Sequence, residues 1–262
     1  MDLGIKGKVA LITGGSRGLG RQSALALAHE GVDVAICGRT ERSLSSTVTE
    51  IKKLGVNSLG IIADVTESAD IGSLHSEVCE SLGAVDILVN NAGGSLSRED
   101  IEGTSLEDYK KTFDLNLFGG FELMKLVIPQ MKENNWGRII NISGLASGST
   151  GTVVGSMRNV AVSAMTKNLA DELGPSGINV TVVHPGLTRT EATASVIARR
   201  AAETDQSESE VEQQMAEGNS ARTIIDSSDI AYVVAMLASP LSIAINGDGI
   251  AAGGGVGTAI YY

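Results

Sequence analysis

Between residues 13 and 20 the chain reads Thr13-Gly14-Gly15-Ser16-Arg17-Gly18-Leu19-Gly20, with the apolar run Val9–Thr13 before it and a helical pattern over Leu19–Glu30 after it. Three of the glycines have separate tasks. Gly14 permits a tight turn, Gly18 lets the backbone come close to a pyrophosphate, and Gly20 lets the helix pack on the strand. Phosphates would then meet the free N–H groups and the positive dipole end of that helix. A glycine triplet alone is weak evidence. Set between a strand and a helix it is strong, and it makes Gly14, Ser16, Arg17, Gly18, Leu19 and Gly20 a candidate phosphate loop.

Outward from this loop, strand-length apolar runs alternate with helix-length amphipathic stretches. Val32–Cys37, Leu59–Ala63, Val85–Val89, Arg138–Ile142 and Ile178–Val183 read as strands, with Ile250–Ala252 as a weak last one. Helices are expected near Glu41–Leu54, Glu67–Leu82, Gly155–Leu173 and Ser227–Ala238. A longer one runs from Ser105 to Lys132, opened by Ser105 and Asp108 at capping-box spacing. The strands are continuous apolar runs, which implies burial on both faces. The expected fold is α/β: one doubly wound, parallel, Rossmann-like sheet with helices on both faces, in a single domain over residues 1–262. Thr188–Ala221 breaks the rhythm with a polar, helix-prone stretch after a strand's carboxyl end. It is either a lid over a substrate site or a solvated surface excursion.

Composition narrows the partners. Net charge is −11, from 20 basic and 31 acidic residues, and no Lys or Arg interrupts the acids between Glu203 and Glu217. An acidic chain without a basic face repels phosphate backbones, so nucleic acid is not an expected partner. Aliphatic runs are a handful of residues against the ~20 of a membrane span, and Met1–Lys8 has no apolar core of a secretory signal. Cys37 and Cys79 have no metal-ligand spacing and exclude a disulfide scaffold, so a reducing cytoplasm is the expected setting.

The second strand ends Ile36-Cys37-Gly38-Arg39. An NAD site places an acid there to accept from the ribose 2′-hydroxyl, and Gly38 has no carboxylate. Arg39 and Arg17 can converge on a 2′-phosphate, which suits the arginine fork; the alternative is two surface arginines. The converging pair makes NADP(H), in preference to NAD(H), the expected cofactor.

Asn90-Asn91-Ala92-Gly93 adds a further motif. Together with Thr13–Gly20, Asp64-Val65, Asn116, Ser143 and Pro185-Gly186 followed by Thr190, it makes the chain resemble the short-chain dehydrogenase/reductase family over essentially its whole length. The resemblance implies hydride transfer between a nicotinamide cofactor and a small-molecule carbonyl or alcohol. It implies that Asp64 and Val65 contact the adenine, and that Asn91, Ala92 and Gly93 line the cofactor. Pro185, Gly186, Thr188 and Thr190 would meet the nicotinamide end. Asn90 can instead tie strands together. Homodimers or homotetramers built on the Ser105–Lys132 and Gly155–Leu173 helices are implied as well.

At the catalytic end the pattern breaks. The family uses a Tyr, a Lys four residues on that lowers its pKa, a Ser that holds the carbonyl oxygen, and an Asn that anchors a relay water. Ser143 and Asn116 match the last two, but Gly155 stands at the Tyr position and Asn159 at the Lys position. Losing general acid–base catalysis typically costs ~10²–10⁴-fold. Arg158 can hold an oxyanion, yet it lies ~100° round the helix from Asn159 and is a poor proton donor. Ser156 neighbours the vacant position. His184 titrates in the right range, or is a hydrogen-bonded strand-end residue. Tyr261 or Tyr262 can reach in from a neighbouring subunit, or form a frayed tail. Gly155 leaves room for a bulky substrate or for another side chain. Three readings follow: an NADP(H)-dependent oxidoreductase with an altered proton relay, a non-redox lyase, isomerase or hydratase on the same scaffold, and an inactive NADP(H)-binding protein.

Overall fold

The computed structural model describes residues 1–94, 102–148 and 151–257. Its strands are β1 (Val9–Thr13), β2 (Asp33–Gly38), β3 (Ser58–Ile62), β4 (Ile87–Asn90), β5 (Gly137–Ile142), β6 (Ile178–Pro185), β7 (Thr188–Arg189), β8 (Ile225–Asp226) and β9 (Gly249–Ala252). Seven of them form one parallel sheet in the order β3-β2-β1-β4-β5-β6-β9, while β7 pairs only with β8. Neighbouring residues on each strand pack to opposite sides. Leu11 and Leu88 meet α3 (Ser68–Ser81), α5 (Gly119–Glu133) and α6 (Val153–Leu173), whereas Ile12 and Val89 meet α1 (Gly18–His29), α2 (Glu41–Lys52) and α9 (Ser227–Ala238). Burial on both faces is why these strands are unbroken apolar runs.

The expected helix over Ser105–Lys132 is divided. It consists of α4 (Leu106–Phe113), a π-helical turn over Asp114–Phe118, and α5. Asn116 lies in that turn, and its Nδ2 donates to the Thr112 carbonyl at 2.7 Å, the acceptor an α-helical N–H at 116 would use. A side chain that takes the i−4 carbonyl displaces the ladder, and single π turns of this kind recur at functional sites. Between residues 188 and 221, α7 (Thr193–Thr204) and α8 (Glu208–Ala216) pack around Ile197, Ala201, Val211 and Met215. This stretch therefore has a small core of its own, and α8 opens with a Ser207–Glu210 capping box.

Two helical glycines make opposite predictions. A Cβ on Gly119 would stand 2.1 Å from the Val65 carbonyl oxygen, a backbone atom that cannot swing away, whereas one on Gly72 in α3 meets nothing within 4 Å. Gly119→Ala is expected to destabilise by about 1–3 kcal/mol through overpacking. Gly72→Ala is expected to stabilise by about 0.5–1 kcal/mol through helix propensity. Urea midpoints for both variants check the pair.

Candidate active site

The strand order reverses between β1 and β4, and the carboxyl ends of the strands there wall a cleft of about 510 Å³. Open α/β sheets bind ligands at such switch points. The cleft gathers Gly14, Ser16, Arg17, Gly18, Leu19 and Gly20 after β1, Arg39 after β2, Asp64 and Val65 after β3, and Asn91, Ala92 and Gly93 after β4. Asn91 joins these pieces. Its N–H and that of Ala92 donate to Thr13 Oγ1, both at 2.9 Å, and its Nδ2 donates to the carbonyls of Thr13 (2.9 Å) and Gly14 (3.2 Å). A Cβ on Gly20 would stand 2.4 Å from both Asn91 Nδ2 and the Gly14 carbonyl oxygen. Asn90 ties strands, donating from Nδ2 to Asn141 Oδ1 at 2.9 Å.

Arg17 precedes α1 in an extended conformation and makes no side-chain cap, and the first turn of α1 holds no acid. The Gly18 N–H donates instead to Glu191 Oε2 at 3.0 Å, and Arg21 Nη1 stands 3.9 Å from Glu191 Oε1 while Nη2 pairs with Glu50. Arg39 is 71% exposed, with Nη1 3.7 Å from Asp64 Oδ2. Burial pushes the Asp64 carboxyl up, but the Thr66 N–H and hydroxyl and the Arg39 charge together outweigh it and hold it below its usual range. A Cβ on Gly38 would meet Ser16 Oγ at 3.2 Å, so this corner is tight for an acid. Pro185, Gly186 and Thr188 lie at the end of β6 and the start of β7, outside the cleft wall, and Thr190 rests its methyl 3.6 Å from where a Gly18 Cβ would be.

A second cluster forms beyond β5. The Ser143 hydroxyl donates to Asn159 Oδ1 at 3.0 Å, and Asn159 is only 3% exposed. Arg158, one residue earlier on α6, reaches the other way, and its Nη1 donates to Asn116 Oδ1. Asn116 Oδ1 also accepts from the Gly94 N–H at 3.0 Å, while Nδ2 donates to the carbonyls of Thr112 (2.7 Å) and Gly94 (2.9 Å). Both lone pairs and both protons of this amide are thus taken by protein groups. The place expected for a relay water is held by Arg158. Its guanidinium has no carboxylate partner among the described residues, its Nε has no acceptor, and burial draws its pKa below the usual arginine range. A Cβ on Gly155 would stand 2.7 Å from Thr152 Oγ1, which accepts the Gly155 N–H as the cap of α6. Among the described residues, chain neighbours and the helix's own backbone aside, only Thr152 comes within 4 Å of that position.

Sequence reading missed Thr13, Glu191 and Leu115. Thr13 acts through its hydroxyl on β4, Glu191 touches Gly18 across 173 positions, and Leu115 lines the cleft from inside the π turn. Tyr261 and Tyr262 lie outside the described residues. Cys37 is buried in the sheet, and burial pushes its thiol up to about 11, which suits packing rather than nucleophilic chemistry. Among the described residues no group of His, Cys, Asp or Glu can hold a metal ion, and no helix is long and apolar enough to cross a membrane.

Residues 8–201 match the short chain dehydrogenase family model, and the chain belongs to that family. It is 30% identical over 256 residues to the 7alpha-hydroxysteroid dehydrogenase of Escherichia coli K12, covering 97% of this chain and 96% of the relative. It is 35% identical over 254 residues to the 3-oxoacyl-[acyl-carrier-protein] reductase FabG of Staphylococcus aureus N315, covering 95% and 98%. L-sorbose reductase from Gluconobacter frateurii, solved with NADPH and L-sorbose, superposes with a TM-score of 0.94 at 26% identity, covering 99% of this chain and all (100%) of that one.

His184 is 7% exposed. Its Nδ1 lies 3.0 Å from the Gly144 carbonyl oxygen and 3.3 Å from Ser147 Oγ, and its Nε2 lies 3.4 Å from Ser163 Oγ. These contacts hold it at the end of β6, and burial lowers its pKa below 6.5 despite the Gly144 carbonyl. The unfolded chain therefore takes up a proton near pH 6.5 that the folded chain resists, so stability is lost as pH falls through that value. The urea midpoint is expected to drop from pH 7 to pH 5, and to drop less in His184→Gln. Parallel slopes in the two proteins would contradict this.

Proposed function

We propose that the protein is an NADP(H)-dependent oxidoreductase acting on a carbonyl or alcohol of a small molecule, with Ser143 and Arg158 serving where the family's Tyr and Lys are missing. One arrangement carries this reading: a cleft with dinucleotide character that has a guanidinium and no acid after β2, and near it a guanidinium on α6 that donates to Asn116 and has no carboxylate partner among the described residues, one position from the Asn159 that holds Ser143. The residues fit such a cofactor. Gly18 offers its N–H to an anion, Asp64 and Val65 would hold the adenine side, and Arg39 and Arg17, both on the cleft wall, would hold a 2′-phosphate. Thr188 and Thr190, with Pro185 and Gly186, belong to its nicotinamide end. When bound, the nicotinamide supplies or accepts a hydride.

The chain's own residues deal with the oxygen. Ser143 donates to Asn159 Oδ1 as oriented here, but an Asn amide can be turned over. Nδ2 of Asn159 then donates to Ser143 Oγ and frees the hydroxyl proton for a carbonyl oxygen. Arg158 adds a fixed positive charge in a partly dry site, where charge stabilisation is worth more than in water. A guanidinium does not give up its proton, so solvent delivers the proton that completes an alcohol. This splits the work of the phenol in two: charge is met by Arg158, protonation by water.

Several further features join the proposal. The unit is one domain, with residues 188–221 as a lid, in a cytoplasmic setting that suits the free Cys37 and Cys79. Phe118 in the π turn, Phe121 on α5 and Met157 and Val160 on α6 are exposed, which favours a homo-oligomer through these helices.

Thermal unfolding with each cofactor tests the reading. NADPH is expected to raise the midpoint more than NADH at equal concentration. Arg39→Asp should weaken NADPH binding by about 10- to 100-fold, the value of a charge-assisted hydrogen bond, and favour NADH. A chain stabilised by neither cofactor would refute the proposal. On a carbonyl panel, Arg158→Met is expected to lower kcat by about 10²–10³-fold, as loss of an oxyanion donor does, while the NADPH shift is retained. Unchanged turnover would remove Arg158 from the mechanism.

A further inference from the structure

We propose that Glu191 is an internal stand-in for the cofactor's pyrophosphate, which a dinucleotide must expel in order to bind. The inference rests on the dinucleotide reading above and adds a competitor within the chain. The Gly18 N–H lies in the glycine loop at the start of α1, where a pyrophosphate would be received, and it already donates to Glu191 Oε2 at 3.0 Å. The second carboxylate oxygen lies 3.9 Å from Arg21, the nearest cation on the same helix. A carboxylate in this position draws on the amide, the helix dipole and the cation that would otherwise serve phosphate. One N–H cannot serve both anions, and two anions side by side repel.

The contact is also built to exchange. The Glu191 side chain is 59% exposed, so its bonds compete with water and are weak enough for a ligand to break. Its neighbours bind in the other direction. Arg189 pairs with Glu212 on α8 and lies 3.5 Å from Asp226 at β8, and the Thr190 N–H donates to Thr193 Oγ1 at 2.8 Å, at the start of α7. Residues 189–191 are therefore one short piece fixed to the helices of the 188–221 segment at one side and to the glycine loop at the other. Expelling the carboxylate frees that segment from the loop, so dinucleotide occupancy is transmitted to the segment proposed as the lid.

Titration calorimetry on the full chain tests this with NADPH and with adenosine 2′-monophosphate, which lacks the pyrophosphate. In Glu191→Gln, NADPH is expected to bind about 3- to 30-fold tighter, the range for one anion at a helix N-terminus, and adenosine 2′-monophosphate with unaltered affinity. NADPH should also change hydrogen exchange across Thr193–Thr204 in the native chain and change it less in the variant. Equal NADPH affinity in both chains, or equal tightening of both ligands, would overturn the gate while leaving the dinucleotide reading intact. A native chain that binds neither NADPH nor NADH would overturn both.

Discussion

The close approach of Asn91 to the glycine loop is the constraint on which the crevice depends. With no Cβ on Gly20, the Asn91 amide can lie against α1 and reach the Thr13 and Gly14 carbonyls at once. Thr13 returns the contact by accepting two N–H groups from the end of β4 on a single hydroxyl. β1 and β4 thus end at the same level, and the first residues of α1, Gly18 to Gly20, line the cleft at the gap between them. If any one of these groups were displaced, the dipole end of α1 would still exist, but it would no longer point at the place where the sheet topology opens. The sheet supplies the crevice, and this clamp supplies its aim.

Most of the sheet, and the residues that the fold gathers round the cleft, were legible in the sequence because they depend on local backbone chemistry. Gly14, Gly18 and Gly20 state their purposes within eight residues, and continuous apolar strands announce two covered faces. Contacts that join distant segments left no such trace. Glu191 and Gly18 are 173 positions apart, and nothing in either stretch names the other. Arg158 was visible as a candidate, and helical periodicity correctly separated it from Asn159 by about 100°. Periodicity does not say which of the two directions faces the site. In the fold both do, because Ser143 stands on one side and Asn116 on the other. The π turn escaped for a related reason: five residues at a different pitch leave the apolar pattern of a long helix unchanged, and its cause is a side-chain bond from Asn116 to Thr112.

On the proposed reading, with Gly155 and Asn159 in the places of the family's Tyr and Lys, the whole acid–base apparatus looks at first to be lost. That reading separates what has gone from what has stayed. The phenol has gone, and with it a proton donor matched to neutral pH. On that reading a cation has stayed on α6: Asn159 faces Ser143, and Arg158, one position earlier, faces Asn116. A half-buried guanidinium with no carboxylate partner among the described residues and with an orphaned Nε is costly. That cost is offset only when negative charge arises beside it, as it does on a carbonyl oxygen receiving hydride. Preorganised charge is usually the larger contribution to such a reaction and proton transfer the smaller. On the proposed reading, a site that keeps the first and leaves the second to solvent is a slower enzyme rather than a vestige, and its rate follows the charge at 158 more closely than a phenol restored at 155, where a Cβ would crowd the Thr152 hydroxyl that caps α6.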